Sequence, residues 1–223
     1  MAIAYNAKIP RSDLSLLFDP ANTKSYPGSG TTIFDLSGNG NNGTLSGSPV
    51  FSNGIMTYDG SDDQIVVSAN QNSLDFSSNQ TILIWMYHTY TSGRKNPYNQ
   101  AYGGYGTWTH EQGNNINYYY GDAGGNNTPY TNRNSSTTST IVWNMMCTIR
   151  DTSTIKWYKN GVLINSASNA YGELTTTTGD ISFGNGYAGR WVGDMGPMML
   201  YKKALTAAEI QEIFHAYKGR FGL

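Results

Sequence analysis

Short runs with strand periodicity recur from one end of the chain to the other, and Gly and Asn separate them. The run 81–87 is apolar at both alternating sets of positions, which predicts a central strand covered on both faces. Asn160-Gly161 separates the runs 155–159 and 162–164, and this dipeptide accepts positive φ at both central turn positions. The sequence therefore predicts an all-β fold built from hairpins.

Later segments extend the pattern. Trp143, Met145, Cys147 and Ile149 share one face of a predicted strand, and 195–201 forms the last strand, with Pro197 predicted to lie at an edge or a bulge. We expect burial between two sheets for six large side chains, namely Trp85, Trp143, Trp157, Ile84, Met145 and Ile149.

One helix is predicted near the end of the chain. Thr206 and Glu209 have the spacing of a capping box, in which each side chain satisfies a free backbone N–H of the other residue. The following apolar residues fall on one helical stripe, namely Ile210, Ile213, Phe214 and Tyr217. An amphipathic helix after a series of strands is expected to pack against the sandwich.

Charge and cysteine usage exclude several classes. The 223 residues contain 14 Lys+Arg and 15 Asp+Glu, with no basic cluster of the kind that nucleic acid requires. The single cysteine, Cys147, rules out an internal disulfide and is expected to be a small buried hydrophobe. Polar coverage comes from Asn, Ser, Thr, Gly and 17 Tyr, a surface suited to sugars or flat protein surfaces.

Targeting patterns are also missing from the sequence. No run approaches the roughly 20 apolar residues of a membrane span. The first residues lack a basic start followed by a long apolar core, so we expect no signal peptide and no membrane insertion.

The segment 88–140 differs from the rest because tyrosines alternate there with Gly and Asn. One interpretation is a set of irregular loops and edge strands whose tyrosines pack on one another or pin the loops to the core. The other is a binding surface, since rigid tyrosines on Gly/Asn loops give large contact area at low entropic cost. The candidate ligand- or partner-binding residues are Tyr102, Tyr105, Trp108, Tyr118 and Tyr120.

Several motifs in this order and spacing resemble one family. They are the segments 35–44 (DLSGNGNNGT), 58–63 (YDGSDD), 157–162 (WYKNGV), 193–196 (GDMG) and 201–210 (YKKALTAAEI). Together they resemble the laminin-G-like branch of the concanavalin A-like lectin/glucanase superfamily over residues 14–223, with 88–140 as a loop-rich insert. The ending 218–223 looks like that of such domains in tailed-phage virion proteins.

The resemblance implies a jelly-roll sandwich of two antiparallel sheets with one short C-terminal helix. The chain then divides into an N-terminal arm, 1–13, which could dock on a partner subunit, and a single lectin-like domain, 14–223. Members of the family often carry calcium on loops at the sandwich edge. The candidate ligands for a structural Ca²⁺ are Asp35, Asp59, Asp62 and Asp63, although Asp and Asn also stabilise turns without any ion.

The same superfamily contains glycoside hydrolases, which need two carboxyl groups across the scissile bond. The paired-Glu strand motif of the glucanase branch is absent, since the only glutamates are Glu111, Glu173, Glu209 and Glu212. We therefore predict no enzyme activity.

The leading hypothesis is a non-enzymatic tailed-phage virion component that decorates the capsid or belongs to a tail or fibre. It would be made in the host cytoplasm, assembled in multiple copies with other virion proteins, and able to adhere to surface polysaccharide. The alternative is a free-standing carbohydrate-binding module.

Overall fold

The computed structural model describes residues 8–68, 72–88, 93–100, 106–111, 115–120, 132–137, 141–174 and 179–223. Within these ranges the chain forms two antiparallel sheets of eight strands each and one short C-terminal α-helix. The predicted all-β jelly-roll sandwich is confirmed. No helix in these ranges is long and apolar enough to cross a bilayer.

The elements follow one another in a simple order. The strands are β1 (Leu14–Phe18), β2 (Thr32–Ile33), β3 (Gly43–Ser46), β4 (Val50–Ser52), β5 (Ile55–Asp59), β6 (Gln64–Val67), β7 (Gln80–Tyr87), β8 (Lys95–Gln100), β9 (Gly106–Glu111), β10 (Asn115–Tyr120), β11 (Asn132–Thr137), β12 (Asn144–Arg150), β13 (Thr154–Lys159), β14 (Val162–Ser168), β15 (Ile181–Phe183) and β16 (Val192–Tyr201). The helix α1 spans Ala207–Tyr217, and short 3₁₀ helices span Asn72–Leu74 and Lys218–Phe221.

The strand order separates the two sheets. Sheet A runs β14-β13-β12-β7-β16-β5-β4, with β1 also paired to β16. Sheet B runs β11-β10-β9-β8-β15-β6-β3-β2. The segment 88–140, expected to be loop-rich, supplies four consecutive strands of sheet B, β8 to β11. The described parts of this segment are therefore part of the sandwich itself.

Local features of sheet A agree with the sequence. Asn160 and Gly161 have φ of 51° and 82° and join β13 to β14, so the predicted hairpin is confirmed. Pro197 lies in β16 where the register with β7 shifts between Met195 and Met198, which confirms a bulge. A bulge accommodates proline because proline has no N–H for the ladder.

The main core lies between the two sheets. Ile84 and Trp157 of sheet A meet Trp108, Tyr118 and Phe183 of sheet B there, and all five side chains are fully buried. Burial of Ile84 and Trp157 between the sheets was predicted and is confirmed.

A second core covers the opposite face of sheet A. Trp85, Met145 and Ile149 are buried against the helical ending rather than between the sheets, which corrects their predicted position. Trp85 stacks on Phe214 and Phe221 with ring centroids 5.8 and 4.2 Å apart. Sheet A is therefore covered on both faces, because α1 and the following 3₁₀ helix pack on its outer side.

The outer core also includes the residues at both ends of the described chain. Trp143 is only half-buried and precedes β12, so its predicted full burial is wrong; its ring lies 4.5 Å from that of Phe221. Ile9, from the expected N-terminal arm, is buried in the same core, and Pro10 accepts a hydrogen bond from the Tyr201 hydroxyl. The described part of the arm thus packs on its own domain.

The helix begins as predicted. The Thr206 side chain accepts from the Glu209 backbone N–H, and the Glu209 side chain accepts from the Thr206 backbone N–H. Ile210, Ile213 and Tyr217 are buried on the face that meets sheet A. Cys147 is buried beneath them in the outer core, and burial raises the pKa of its thiol, which keeps it protonated.

Candidate functional site

Three of the candidate binding residues are part of the core. Trp108 and Tyr118 are fully buried, and Tyr120 is 2% exposed. A ring in this position cannot stack on a sugar or a partner without leaving the core, so the surface role expected for these three residues is wrong. Tyr102 and Tyr105 lie outside the described residues.

The buried aromatic residues have a structural role instead. The ring of Trp108 lies 5.7 Å from that of Trp157 across the two sheets. The Tyr118 hydroxyl accepts from Nε of Arg150 at 3.2 Å and donates to Gln80 at 3.0 Å. The interpretation that tyrosines of this segment pin it to the core holds for Tyr118 and Tyr120.

Tyr119 faces the opposite way, because successive residues of a strand point to opposite faces of the sheet. It stays partly exposed, and its hydroxyl lies 3.3 Å from an Arg94 guanidinium nitrogen. The same nitrogen donates to the Tyr187 hydroxyl at 3.2 Å. The Arg94 guanidinium carbon lies 5.8 Å from the Tyr119 ring centroid and 5.6 Å from that of Tyr187. We call these three residues the tyrosine–arginine cluster.

The loop that presents Tyr187 is tied to the start of β8. The buried Asn96 side chain accepts from the Ala188 backbone N–H at 2.7 Å and donates to the Trp108 carbonyl at 2.9 Å. The Asn96 backbone N–H also donates to the Gly189 carbonyl at 2.8 Å. A Cβ at Gly186 would lie only 2.5 Å from the Asn96 side chain, so this close approach requires glycine.

Tyr187 is 52% exposed and Arg94 is exposed, so the cluster presents aromatic and cationic surface to solvent. Cation–π contact and hydrogen bonding hold the guanidinium near both rings. Amphipathic rings of this kind give a large contact area with little loss of side-chain entropy. The cluster can thus offer a flat apolar surface and directional donors to a ligand.

The cluster continues into a row of cross-strand partners on the outer face of sheet B. Tyr119 of β10 pairs with the Thr107 position of β9, which pairs with Asn99 of β8. Asn99 in turn pairs with Ser182 of β15, and Ser182 pairs with Val66 of β6. The described side chains of this row are all partly exposed. The row therefore extends a small polar surface away from the two rings.

These residues were missed in the sequence, although one signal pointed to Tyr119. The alternation of a strand requires Tyr118 and Tyr120 to share one face and Tyr119 to take the other. Arg94 is close to Tyr119 and Tyr187 only through sheet pairing and loop packing, which no local pattern reveals.

Three of the four candidate metal ligands meet at one loop. Carboxylate oxygens of Asp59, Asp62 and Asp63 lie within 4.8 Å of one another. Ca²⁺–oxygen distances are about 2.3–2.6 Å, so ligands on opposite sides of one ion lie about 5 Å apart, and the group fits this cation by distance. Asp59 and Asp62 are exposed, whereas Asp63 is buried and accepts from the backbone N–H groups of Ser48 and Asp59.

Asp35 does not belong to this group, so its expected place in the metal set is wrong. Its carboxylate accepts from the backbone N–H groups of Leu17, Ser37 and Asn41 at 2.8–3.1 Å. These hydrogen bonds close the turn after β2, which is the alternative use of aspartate that the sequence left open.

A small cleft lies near the edge of sheet B, away from the tyrosine–arginine cluster. Its volume is about 230 Å³, and its lining is Tyr26, Gly30, Thr31, Leu45, Ser46, Gly47, Ser48 and Pro49. This is below the roughly 300–1,000 Å³ of typical small-molecule pockets. An open surface is the better candidate for a large ligand.

Comparison with solved structures finds the same fold in receptor-binding domains of botulinum neurotoxins. The C/D mosaic serotype domain matches with a TM-score of 0.73 at 15% identity, covering 92% of this chain and 52% of that one. The serotype D ligand-binding domain in complex with N-acetylneuraminic acid gives 0.72 at 14% identity, with coverages of 92% and 51%. The serotype DC binding domain in complex with rat synaptotagmin II gives 0.69 at 11% identity, with the same coverages of 92% and 51%. The chain thus spans about half the length of these structures.

Comparison with curated proteins gave no match. A protein-family model described as the concanavalin A-like lectin/glucanases superfamily matches residues 59–211, which is more than half of the chain. The match agrees with the two-sheet jelly roll, with the toxin-domain fold and with the motifs at 157–162 and 193–196. The chain therefore belongs to the concanavalin A-like lectin/glucanase superfamily.

Proposed function

We propose that this chain is a non-enzymatic glycan-binding domain that holds its ligand at the tyrosine–arginine cluster on the outer face of sheet B. The observation behind the proposal is that Tyr119 and Tyr187 flank an exposed guanidinium within 6 Å of both rings. The apolar face of a sugar ring can pack on tyrosine, while its hydroxyls accept from Arg94 and exchange hydrogen bonds with Asn99 and Ser182.

Two further points support a binding role. The superfamily includes lectins, and one structurally similar toxin domain was solved with N-acetylneuraminic acid. Three glutamates have described side chains: Glu209 is engaged in the helix cap, Glu173 accepts from Ser78, and Glu212 lies exposed on α1. Retaining hydrolysis of the glucanase type needs two carboxyl groups about 5–5.5 Å apart on the sugar-binding face, and Glu209 and Glu173 have other structural partners.

A more specific proposal concerns where the domain works. We propose that it is a tailed-phage virion component, present in multiple copies, that decorates the capsid or forms part of a tail or fibre. It rests on the resemblance of the ending 218–223 to virion domains. Virion genes beside the gene would support this location. A neighbourhood without phage or prophage genes would contradict it and favour a free-standing carbohydrate-binding module.

A structural calcium ion at Asp59, Asp62 and Asp63 is a separate proposal. The ion would neutralise three neighbouring carboxylates and fix the loop between β5 and β6. Calcium should then raise the melting temperature relative to EGTA, and Asp62→Asn should remove that difference. An unchanged melting temperature on adding calcium contradicts the site.

Glycan-array screening of the purified chain, with and without calcium, tests the main proposal. Wild type should bind a defined set of glycans, and Tyr187→Ala should bind them more weakly. Phe34→Ala is the matched control, because Phe34 is a similarly exposed aromatic residue (43%) away from the cluster. An array with no hit under either condition, or equal binding by both variants, contradicts the proposal.

A further inference from the structure

Exposed aliphatic side chains gather at one end of sheet A. Among the described residues, nine large hydrophobic side chains stay exposed, and five of them belong to 141–142 and 162–164. The two segments are neighbours, because the Asn160 backbone N–H donates to the Met145 carbonyl and the Asn160 side chain accepts from the Met145 N–H. We call these five residues the aliphatic tip. Contiguous exposed apolar surface of this kind marks a site that contacts a protein or a membrane.

Ile141 is held in an unfavourable state within the aliphatic tip. Its φ is 59°, a left-handed conformation that a β-branched residue rarely adopts. Its side chain is also 65% exposed to solvent. Residues that keep a strained backbone cluster at functional sites. Transfer of the side chain into an apolar phase would offset the cost of its exposure.

Aromatic rings border the aliphatic tip. Trp143 directly follows the tip in the sequence and is only half-buried, with its ring 4.5 Å from that of Phe221. Phe214 of α1 is also half-buried, and a Cβ at Gly161 in the β13–β14 turn would lie 3.4 Å from its side chain. Tryptophan is enriched at membrane–water interfaces, where its ring lies at the level of the lipid headgroups. The most exposed residues of this end are thus aliphatic, and a tryptophan adjoins them.

Lysines accompany the aliphatic tip on its own hairpin. The hairpin 154–168 contains two lysines and no Asp or Glu. One of these lysines, Lys159, pairs with Val162 at the tip. Lys218, directly after α1, adds a further cation, with its Nζ 5.8 Å from the Phe214 ring centroid. Lysines beside apolar surface attract anionic lipid headgroups.

The residue types favour a lipid surface over a protein partner. Protein interfaces concentrate binding energy in Trp, Tyr and Arg, whereas Leu and Val contribute little and lysine is depleted. The aliphatic tip consists of Ile, Leu and Val and is accompanied by lysine. Surfaces that adsorb to bilayers combine apolar side chains with lysine or arginine at headgroup depth. Such adsorption needs no spanning segment, so the predicted absence of membrane insertion does not oppose it.

We propose that the domain adsorbs to anionic phospholipid bilayers through the aliphatic tip. The five aliphatic side chains enter the lipid–water boundary, and the lysines contact the headgroups. This role goes beyond glycan binding and does not rest on it, because the tyrosine–arginine cluster belongs to sheet B. Phospholipid vesicles without glycans therefore test it separately.

Flotation of the full chain with vesicles of phosphatidylcholine and phosphatidylserine in equal parts tests the proposal. Wild type should float with these vesicles, whereas it should bind phosphatidylcholine alone more weakly and high salt should weaken binding to the mixture. Val162→Asp should lower the partition coefficient by about tenfold or more, because it removes apolar contact and brings a carboxylate to an anionic surface.

Val50→Asp is the matched control for this variant. Val50 is 62% exposed on β4, the opposite edge strand of sheet A, and Val162 is 60% exposed. The control adds the same charge to the chain, yet it should bind vesicles as wild type does. Both variants should keep the wild-type melting temperature, since both valines are largely exposed.

Tryptophan fluorescence supplies a second readout at the border of the tip. Trp143 is half-buried, whereas the other four tryptophans are fully buried, namely Trp85, Trp108, Trp157 and Trp191. Brominated lipids should therefore quench the emission of Trp143 in the folded protein. Trp143→Phe should abolish this quenching while the variant still floats with the anionic vesicles.

Several results would overturn the proposal. The first is a wild type that floats with neither kind of vesicle, and the second is equal partition coefficients for the two aspartate variants. Equal binding to phosphatidylcholine and to the anionic mixture would contradict the recognition of anionic headgroups. A dimer in sedimentation velocity that Val162→Asp dissociates, without vesicle binding, would assign the aliphatic tip to a second copy instead.

Discussion

The two sheets of the sandwich differ in what covers their outer faces. Sheet A is buried on both sides, by sheet B and by α1 with its 3₁₀ extension, and all seven residues of its inner strand β12 are buried. In sheet B the outward residues Asn99, Tyr119 and Ser182 keep part of their surface exposed. Coverage therefore decides where tyrosines can act, since a ring on a covered face stabilises the fold and one on an open face can contact a ligand.

The largest expected effect tests the double coverage of sheet A. Trp85→Ala should lower the free energy of unfolding by about 3–5 kcal/mol, because the indole packs between the sheet and Phe221. Trp157→Ala, on the opposite face of the same sheet, should have a similar cost. Chemical denaturation measures both. Trp143→Ala is the comparison, and it should lower the free energy of unfolding by less because Trp143 is only half-buried.

If Trp85→Ala lowered the free energy of unfolding by less than Trp143→Ala does, the helical ending would not cover sheet A. A similar result for Trp157→Ala would instead question the packing between the sheets.

The next effect concerns the polar residues buried between the sheets. The Arg150 guanidinium donates to the backbone carbonyls of Phe76, Ser77 and Ser78 and to the Tyr118 hydroxyl. Arg150→Met keeps much of the side-chain volume but leaves these acceptors without that donor, so it should destabilise the fold by about 1–3 kcal/mol. Lys156→Met, a partly exposed cation on the next strand, should have little effect on the same denaturation curve.

Sequence alternation predicted which residues share a face better than it predicted what each face contacts. Met145, Cys147 and Ile149 were correctly placed together, yet they meet the helix, whereas Thr148 and Arg150 point between the sheets. A period of two is the same for both faces, so apolar residues alone could not identify the inner one. The helix was predicted from its capping box, but nothing local determined which sheet it would cover.

The candidate site failed for a related reason. Tyr118 and Tyr120 were chosen for their residue type, while the strand geometry gives the open face to Tyr119. Arg94 and Tyr187 are 93 residues apart and meet only through the pairing of β8 with β15 and the loop held by Asn96. The Asp59, Asp62 and Asp63 group was predictable because all three belong to one short loop.

A smaller effect tests the cap that anchors the cover of sheet A. Thr206→Ala should lower the free energy of unfolding by about 1 kcal/mol, because the Glu209 N–H loses its acceptor. Burial acts to raise the pKa of Glu209, but hydrogen bonds from Lys203 and Thr206 outweigh it and lower that pKa below its ordinary value of about 4.5. The Glu209 contribution should therefore be complete above about pH 4.5 and decline as the pH falls through the lowered folded-state pKa.

Denaturation curves recorded at several pH values test whether this contribution is lost on the acid side. Glu209→Gln should flatten the acid-side decline relative to wild type, while Glu212→Gln, an exposed neighbour on the same helix, should leave it unchanged. The assignment would be contradicted if the difference in free energy of unfolding between wild type and Glu209→Gln grew in favour of wild type as the pH falls.

The most direct test of the open face of sheet B is calorimetric titration of the chain with the strongest glycan from the array. Tyr187→Ala should weaken binding by about fivefold or more, the equivalent of about 1 kcal/mol, without changing the denaturation curve. Phe34→Ala should bind as wild type does. Equal affinities for all three proteins would contradict the claim that the tyrosine–arginine cluster is the binding site.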